Sequence, residues 1–377
     1  MKVVIAIDSF KGCASSVELA HHIQRGITRV YPYCEIVTCP IADGGEGTVE
    51  ALASTKGAQM ICVPCKGPLG DNVDAFYTIL EDKTAVIEMA AASGLPLIPV
   101  ERRDPRITSS YGTGEMIVDA IQRGSRDFII GIGGSATNDA GLGMLRCFGF
   151  RFFDKTGTEI IYAKDLSSIV RIDQNNVLTQ IKECRFRIAC DVTNPLYGPN
   201  GASYVYGAQK GADTQTIALL DDALKAFAEI VKKENGRDVS SVPGTGAAGG
   251  LGFGFLAFLN AKLESGIQII LEQVGLHEKL LGADFVITGE GKIDRQSAMG
   301  KVIDGIGTVC QKHHIPCIAL AGNCHESADN VHEKGVTSVF SILSSPLSLE
   351  EAMNKEMALL LIEKKSEQLF RLISALK

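Results

Sequence analysis

The stretch with the clearest potential for chemistry is residues 128–143, FIIGIGGSATNDAGLG. In it, a short apolar, β-prone run is followed by closely spaced glycines and small polar residues. This pattern predicts a buried strand and then a loop whose backbone approaches another group closely. Backbone N–H groups beside hydroxyl side chains are suited to binding anions, of which phosphate is the usual one. The candidate phosphate-binding residues are Gly131, Gly133, Gly134 and Ser135, with a plain tight turn as the alternative.

Two known phosphate-binding loops can be compared with this segment. It is not a Walker A loop, because no Gly-Lys-Ser/Thr sequence closes it. The spacing Gly131-x-Gly133-x-x-Ala136 does fit the relaxed dinucleotide-binding fingerprint, and Asp154 stands near the place of a ribose-binding acid. The loop by itself therefore leaves open an NAD-dependent oxidoreductase that acts on a small hydroxy acid.

A second glycine-rich loop covers residues 243–252, PGTGAAGGLG, and a helix is expected after it, near residues 255–264. Its glycines suit either close contact with phosphate oxygens or tight turns alone. The candidate phosphate-binding residues in this loop are Gly246, Gly249 and Gly250.

Acidic and basic residues follow four of the predicted strands. Phosphoryl transfer needs cations or backbone dipoles for the phosphates, carboxylates for Mg²⁺, and a base that takes the hydroxyl proton. An Asp after a strand is also often a turn former or helix cap, and a lysine is often simply solvated. The candidate metal ligands are Asp43, Glu46 and Glu290. The candidate catalytic residues are Asp8, Lys11, Asp191 and Lys292.

The elements that must position these residues alternate between strands and helices at both ends of the chain. Five apolar runs predict strands that are each followed by a helical pattern, at residues 2–8, 34–40, 284–288, 316–320 and 336–343. Five such units form a doubly wound parallel sheet, in which the carboxyl ends of all strands meet at one ligand-binding edge. We assign residues 1–59 and 270–377 to this domain, with a loop at 289–294 after the third strand.

The middle of the chain, residues 60–269, is predicted to be a second α/β domain inserted into the first. Its early strands, at 60–64, 73–80 and 84–89, are separated by turn-like pieces and indicate an antiparallel meander. Both glycine-rich loops lie in this region. The predicted fold class is therefore α/β, a doubly wound parallel sheet with a mixed-sheet domain inserted into it.

Composition excludes several classes of function. The chain has 377 residues, which favours two domains. Its net charge of −7, without a basic run, argues against nucleic acid as the main partner. No apolar run approaches about 18 residues, so no membrane span is expected. The start of the chain lacks the features of a signal peptide, and the 11 cysteines are scattered, many in apolar runs, which together predict a cytoplasmic protein.

Seven segments, in order along nearly the whole chain, closely resemble the bacterial type I glycerate kinase family. They are residues 8–12 (DSFKG), 42–48 (ADGGEGT), 88–94 (EMAAASG), 131–139 (GIGGSATND), 190–195 (CDVTNP), 244–250 (GTGAAGG) and 287–291 (ITGEG). The sequence departs from the family at Ala208, where proline is usual, at Lys292, where arginine is common, and at residues 161–165, which are usually richer in glycine. These departures affect loop detail and not the expected reaction.

The resemblance implies the ATP-dependent phosphorylation of D-glycerate to phosphoglycerate with Mg²⁺. It also implies a flavodoxin-like domain with a second α/β domain inserted into it. We expect 2-phosphoglycerate as the product, with 3-phosphoglycerate as the alternative, and a homodimer is left open. Mg²⁺ would link the ATP phosphates to Asp43 or Glu290. The roles of individual residues are our inference from their chemistry and are not taken from the family.

The roles that these residues are expected to have in the reaction leave several alternatives open. Lys11 or Lys292 would hold the glycerate carboxylate, and the glycine-rich loops would hold phosphate. Asp191 or Asp8 would receive the proton of the attacking hydroxyl group. The competing hypotheses are the NAD-dependent oxidoreductase, which gives the other polar loops no function, and a regulator that binds a nucleotide or metabolite without catalysis.

Overall fold

The computed structural model describes residues 1–294, 297 and 301–376. The strands are β1 Lys2–Ile5, β2 Glu35–Thr38, β3 Gln59–Lys66, β4 Asn72–Ile79, β5 Ala85–Glu88, β6 Asp127–Gly131, β7 Arg151–Phe153, β8 Arg171–Asp173, β9 Arg185–Ala189, β10 Lys262–Glu264, β11 Phe285–Ile293, β12 Cys317–Cys324 and β13 Ser338–Ser341. The α-helices are α1 Ser16–Thr28, α2 Thr48–Ala53, α3 Ala90–Ser93, α4 Tyr111–Gln122, α5 Leu142–Cys147, α6 Ala202–Tyr206, α7 Thr214–Asn235, α8 Ala247–Phe258, α9 Gly266–Gln273, α10 Leu276–Lys279, α11 Val302–His313, α12 Leu349–Ala352 and α13 Lys355–Leu376. Short 3₁₀ helices cover Leu95–Leu97, Val100–Arg102, Ala163–Ser168, Thr179–Glu183, Ala208–Lys210 and Glu326–Lys334.

The chain forms two compact units. The first consists of Met1–Asp43, Glu50–Thr55 and Ser265–Lys377, and the second of Gly44–Val49 and Lys56–Glu264. Each unit has its own hydrophobic core of buried residues. The domain limits expected from the sequence stay a prediction.

The sheet of the first unit is wholly parallel, with the strand order β13-β12-β11-β1-β2. Counted along the chain, this is the order 2-1-3-4-5 of flavodoxin-like folds. β1 lies between β11 and β2, and its residues Val3, Val4 and Ile5 are fully buried. A strand that is covered on both faces is expected to have such a continuous apolar run.

β11 is longer than the strand predicted there. It extends beyond its pairing with β1, and Glu290 lies opposite Ala321 of β12 while Lys292 lies opposite Asn323. The expectation of a loop at 289–294 is therefore wrong for residues 289–293. The pairing with β12 holds the two candidate site residues on a strand.

Helices α1 and α13 pack against each other beside the parallel sheet. Gly26 of α1 makes the close approach possible, since a Cβ atom there would overlap the carbonyl oxygen of Glu363. The buried Glu363 carboxylate is bound by His22 Nδ1 at 2.8 Å, by Arg25 Nε at 3.4 Å and by Arg29. Two guanidinium groups and an imidazole thus surround one buried carboxylate, as the cost of its desolvation requires.

The sheet of the second unit is mixed, with the strand order β10-β9-β6-β5-β4-β3. β3, β4 and β5 form the antiparallel meander that the sequence predicts, and β5, β6, β9 and β10 are parallel to one another. The helix expected near 255–264 is instead α8 followed by β10. A parallel sheet and a separate mixed sheet, both with helices, confirm the predicted fold class.

Candidate functional site

A cavity of about 690 Å³ lies at the carboxyl-terminal edge of the parallel sheet in the first unit. It is lined by residues that follow β1 and β2, by the distal part of β11 and by the end of β12. Five of the candidate residues line it together, namely Asp8, Lys11, Asp43, Glu290 and Lys292. Residues far apart in the chain meet here because the carboxyl ends of parallel strands share one edge.

Asp8 is the most deeply buried of these side chains, with 3% of its surface exposed. Its backbone N–H donates to the carbonyl oxygen of Gly289 at 3.0 Å, and its Oδ1 accepts a hydrogen bond from the N–H of Ser9 at 2.7 Å. Burial, together with the negative charge of Asp43, raises the pKa of Asp8 to about 7, although Lys11 acts in the opposite direction. This carboxyl group can therefore take up or release a proton near neutral pH.

Asp43 and Glu290 add two further acids to the cavity. Asp43 Oδ2 lies 3.2 Å from Lys11 Nζ. Burial raises the pKa of Glu290, and its Oε1 atom is buried without a hydrogen-bond partner among the described residues. A buried carboxylate oxygen without a partner, beside a second carboxylate, is suited to a cation such as Mg²⁺.

The protein could supply only part of the coordination shell of such a cation. Across residues 1–294, 297 and 301–376, no group of three or more His, Cys, Asp or Glu side chains is placed to hold a metal ion. Mg²⁺ is usually held by one or two carboxylates, with the remaining positions taken by substrate phosphates and water. Asp43 and Glu290 fit that pattern.

The two candidate lysines that line the cavity are both accessible. The side chains of Lys11 and Lys292 are 48% and 56% exposed, and Lys292 Nζ lies 2.9 Å from Asp294 Oδ2. An ammonium group that is partly open to solvent can hold a carboxylate or phosphate without large desolvation. They are therefore suited to recognising an anionic substrate.

Glu46 lies in the other unit, with the short segment 44–49. It is close enough to Glu88 to raise the pKa of that residue, although burial has the larger effect. The Oε1 atom of Glu88 accepts a hydrogen bond from the N–H of Val49 at 2.8 Å. Glu46 as a metal ligand stays a prediction.

The first glycine-rich loop begins where β6 ends, at Gly131, in the second unit. Gly131 is packed tightly, because a Cβ atom there would overlap the carbonyl oxygen of Gly44. Gly133 and Gly134 are exposed, and Gly134 has a positive φ of 71°. The loop thus combines one glycine that is needed for packing with two whose backbone is open to a ligand.

Ser135 is held by a residue that is not among the sequence candidates. Lys210 Nζ donates to Ser135 Oγ at 2.8 Å and to the carbonyl oxygen of Thr137 at 2.6 Å. Burial lowers the pKa of Lys210 to about 7, although Asp139 acts in the opposite direction. The sequence places Lys210 in a polar, glycine-rich stretch, 201–211, but gives no sign of its burial.

The second glycine-rich loop forms the start of α8 and packs on the first loop. Ala248, Gly249 and Gly250 have left-handed backbone angles there. Gly249 accepts a hydrogen bond from the N–H of Ala140 at 3.0 Å, and a Cβ atom on Gly249 would overlap the carbonyl oxygen of Thr137. This packing accounts for the glycines, which are buried, as Gly246 also is. Their contact with phosphate stays a prediction.

Asp191 lies near the carboxyl edge of the second sheet. It follows β9, whose Ala189 lies opposite Gly131 of β6. The residue is exposed, so its carboxylate is accessible to solvent. The structure thus places the two candidate bases in different units, Asp8 in the first and Asp191 in the second.

Comparisons with known proteins give one consistent result. A model of the glycerate kinase family matches residues 3–374. A glycerate 2-kinase of Escherichia coli K12 is 48% identical over 355 residues, which is 93% of each chain. A glycerate kinase of Bacillus cereus is 46% identical over 355 residues, again 93% of each chain. The chain belongs to the glycerate kinase family. It is a kinase, and therefore a phosphotransferase.

A solved structure from Salmonella typhimurium LT2, described as a putative glycerate kinase 2, supports the same family assignment. It is 40% identical, matches with a TM-score of 0.91, and covers 100% of this chain and 98% of its own. The resemblance seen in the seven sequence segments is thus confirmed along the whole fold.

The glycine spacing at Gly131 matches the dinucleotide fingerprint, but the elements that follow it do not form a dinucleotide site. β7, which follows α5, pairs with β8 in a separate two-stranded sheet and does not lie beside β6. Asp154 accepts hydrogen bonds from the N–H groups of Thr156 and Thr158 in the turn after β7. The βαβ unit that a dinucleotide site requires is therefore not formed by these elements.

Among the described residues, no helix is both long enough and apolar enough to cross a bilayer.

Proposed function

We propose that this chain transfers the γ-phosphoryl group of ATP to the 2-hydroxyl group of D-glycerate, which gives 2-phosphoglycerate and ADP. The observation that carries the proposal is the cavity at the sheet edge, which a buried acid with a pKa near neutrality lines together with the two candidate lysines and the two candidate metal ligands. Membership of the glycerate kinase family supplies the substrate class. The name of the Escherichia coli relative, glycerate 2-kinase, supports the 2-position.

Asp8 is the proposed base in this reaction. A catalytic base works best when its pKa lies near the working pH, and the pKa of Asp8 is raised to about 7. Asp8 would accept the proton of the hydroxyl group as that oxygen attacks the γ-phosphorus. Asp191 is the other candidate, and its exposed position favours a role in substrate contact over proton transfer.

Lys11 and Lys292 are proposed to bind the glycerate carboxylate. Both ammonium groups line the cavity that contains Asp8, and both are about half exposed. Their positive charge would also favour the approach of the anionic substrate in a chain with a net charge of −7.

Asp43 and Glu290 are the proposed ligands for Mg²⁺, because the buried Oε1 atom of Glu290 has no hydrogen-bond partner in the described part of the chain. When bound, the ion would neutralise part of the negative charge on the ATP phosphates. We further propose that the exposed backbone of Gly133 and Gly134, together with Ser135, binds nucleotide phosphate.

An assay of ADP formation tests this function. The purified full chain is given ATP, Mg²⁺ and either D-glycerate or glycerol, and NAD reduction is followed in a parallel sample. We expect ADP formation with D-glycerate, far less with glycerol because it lacks the carboxylate that the lysines bind, and no NAD reduction. ATP binding without turnover of D-glycerate, or equal rates with glycerol, would refute the proposal.

Two further expectations accompany this function. They are the domain limits 1–59 with 270–377 and 60–269, and a cytoplasmic location. A homodimer stays open, and light scattering of the purified protein would decide it.

A further inference from the structure

Lys210 is the one lysine or arginine that is buried among the described residues, with 2% of its surface exposed. Burying an ammonium group is costly unless hydrogen bonds or counter-charges compensate it. In the described part of the chain, no carboxylate forms an ion pair with Lys210, and Asp139 acts on it only at longer range. A residue kept at this cost calls for an explanation beyond packing.

The contact between Lys210 and Ser135 constrains the direction of the serine hydroxyl group. Lys210 Nζ donates to Ser135 Oγ at 2.8 Å, and in its ammonium form it cannot accept a hydrogen bond in return. The O–H of Ser135 must therefore point to another acceptor. Within residues 1–294, 297 and 301–376, Ser135 Oγ makes no second hydrogen bond.

Ser135 follows directly on the open part of the first glycine-rich loop. Gly133 and Gly134 are exposed, and among the described residues their N–H groups make no hydrogen bonds. Two backbone N–H groups, and one hydroxyl group whose oxygen already accepts from Lys210 and whose O–H is left to donate, are suited to binding phosphate oxygens.

The backbone around Lys210 is itself held in place. Lys210 ends the 3₁₀ turn Ala208–Lys210, and Gly211 follows with a φ of 96°. The side chain of Arg103 donates from Nη1 to the carbonyl oxygen of Gln209 at 3.3 Å. A Cβ atom on Gly211 would overlap the carbonyl oxygen of Arg103, so the two segments are in tight contact.

We propose that Lys210 is a positioning residue, which fixes Ser135 as a hydrogen-bond donor to a phosphate group of ATP. The inference deepens the proposed function, since it rests on the first glycine-rich loop as the nucleotide phosphate site. Without the ammonium group, the Ser135 O–H is free to turn to the buried carbonyl oxygen of Thr137, which Lys210 now occupies. The loop then loses one donor to the phosphate.

The test compares Lys210→Met, Ser135→Ala and the double variant in the full chain. Loss of one hydrogen bond to a charged group corresponds to an about 10- to 100-fold rise in the KM for ATP and in the Kd from calorimetry with ATP alone. We expect that rise in each single variant, no further rise in the double variant, and a KM for D-glycerate within about twofold of the parent. Lys233→Met, which removes an exposed lysine of α7, is the matched control and should change neither constant.

Several results would overturn the inference while the proposed function stands. These are an unchanged KM for ATP in an active Lys210→Met enzyme, additive effects in the double variant, and parallel changes in both KM values. Should Lys210→Met fail to fold, Ser135→Ala decides, and normal ATP affinity in that variant refutes the role. A parent chain that binds ATP but does not phosphorylate D-glycerate refutes the proposed function, and the Kd measurements still test Lys210.

Discussion

Burial after the end of β1 gives Asp8 the property that a base needs, a proton affinity matched to neutral pH. Asp8→Asn keeps the shape of the side chain and removes the carboxylate that we propose as the base. We expect kcat to fall by about 10²- to 10⁴-fold with a small change in the KM for ATP. Steady-state kinetics measure this, with Asp154→Asn, in an exposed turn of the other unit, as the control. Turnover close to that of the parent would exclude Asp8 as the base.

The same substitution has a predictable effect on stability. The pKa of Asp8 in the fold, about 7, lies above its ordinary value of 3.8, so the folded state binds this proton more tightly than the unfolded chain does. Ionisation of Asp8 therefore does not lower the free energy of unfolding below about pH 4. Its destabilising effect grows as the pH rises and reaches its full size above about pH 7. We expect Asp8→Asn to raise the free energy of unfolding by about 2–4 kcal/mol at pH 8 and by little at pH 4.

Urea unfolding at the two pH values checks this prediction. Asp71→Asn is the control, since the Asp71 side chain is 71% exposed and should show no such dependence. An equal effect of Asp8→Asn at both pH values would contradict the electrostatic account.

The assignment of the metal ligands makes a separate prediction. Asp43→Asn and Glu290→Gln should each raise the Mg²⁺ concentration for half-maximal activity by about tenfold or more, because each would remove one of the proposed anionic ligands. EDTA should abolish activity, and added Mg²⁺ should restore it. Glu46→Gln is the matched variant. A comparable rise in its Mg²⁺ requirement would assign a metal-ligand role to Glu46, in the second unit.

At the scale of elements, the packing of α1 on α13 depends on a glycine, Gly26, which has no side chain. In Gly26→Ala, the new methyl group would overlap the carbonyl oxygen of Glu363 and lie 2.9 Å from the Cβ atom of Ser366. We expect a loss of about 1–3 kcal/mol in the free energy of unfolding, with KM values unchanged, measured by urea unfolding. His21→Ala, at an exposed site on the same helix, should stay within about 0.5 kcal/mol of the parent.

Contacts between elements that are far apart in the chain explain the features that the sequence did not predict. Gly289 and Gly291 suggest a loop, yet the hydrogen bonds to β12 keep this segment in β11, and it carries Glu290 there. Local pattern predicts a helix at 255–264, whereas residues 262–264 pair with β9 as β10. The burial of Lys210 could not be foreseen either, because it depends on Ser135, which is 75 residues away in the chain.

At the scale of the whole molecule, most of the fold could be predicted from the alternation of strands and helices. Five βα units at the two ends of the chain predict the parallel sheet, and that sheet in turn brings together the acids and lysines that follow its strands. The meander β3–β5 predicts part of the mixed sheet in the same way. The glycine-rich loops were visible in the sequence, but which of their glycines serve packing depended on neighbouring backbones such as those of Gly44 and Thr137.

The central claim is that this member of the glycerate kinase family phosphorylates the 2-hydroxyl group of D-glycerate. ³¹P NMR of a reaction mixture with the purified chain, ATP, Mg²⁺ and D-glycerate tests it most directly. The account predicts the loss of the γ-phosphate signals and the growth of a phosphomonoester signal that couples to the proton on C2. A phosphomonoester that couples to the C3 protons would contradict the position of transfer. The absence of any phosphomonoester would contradict the function.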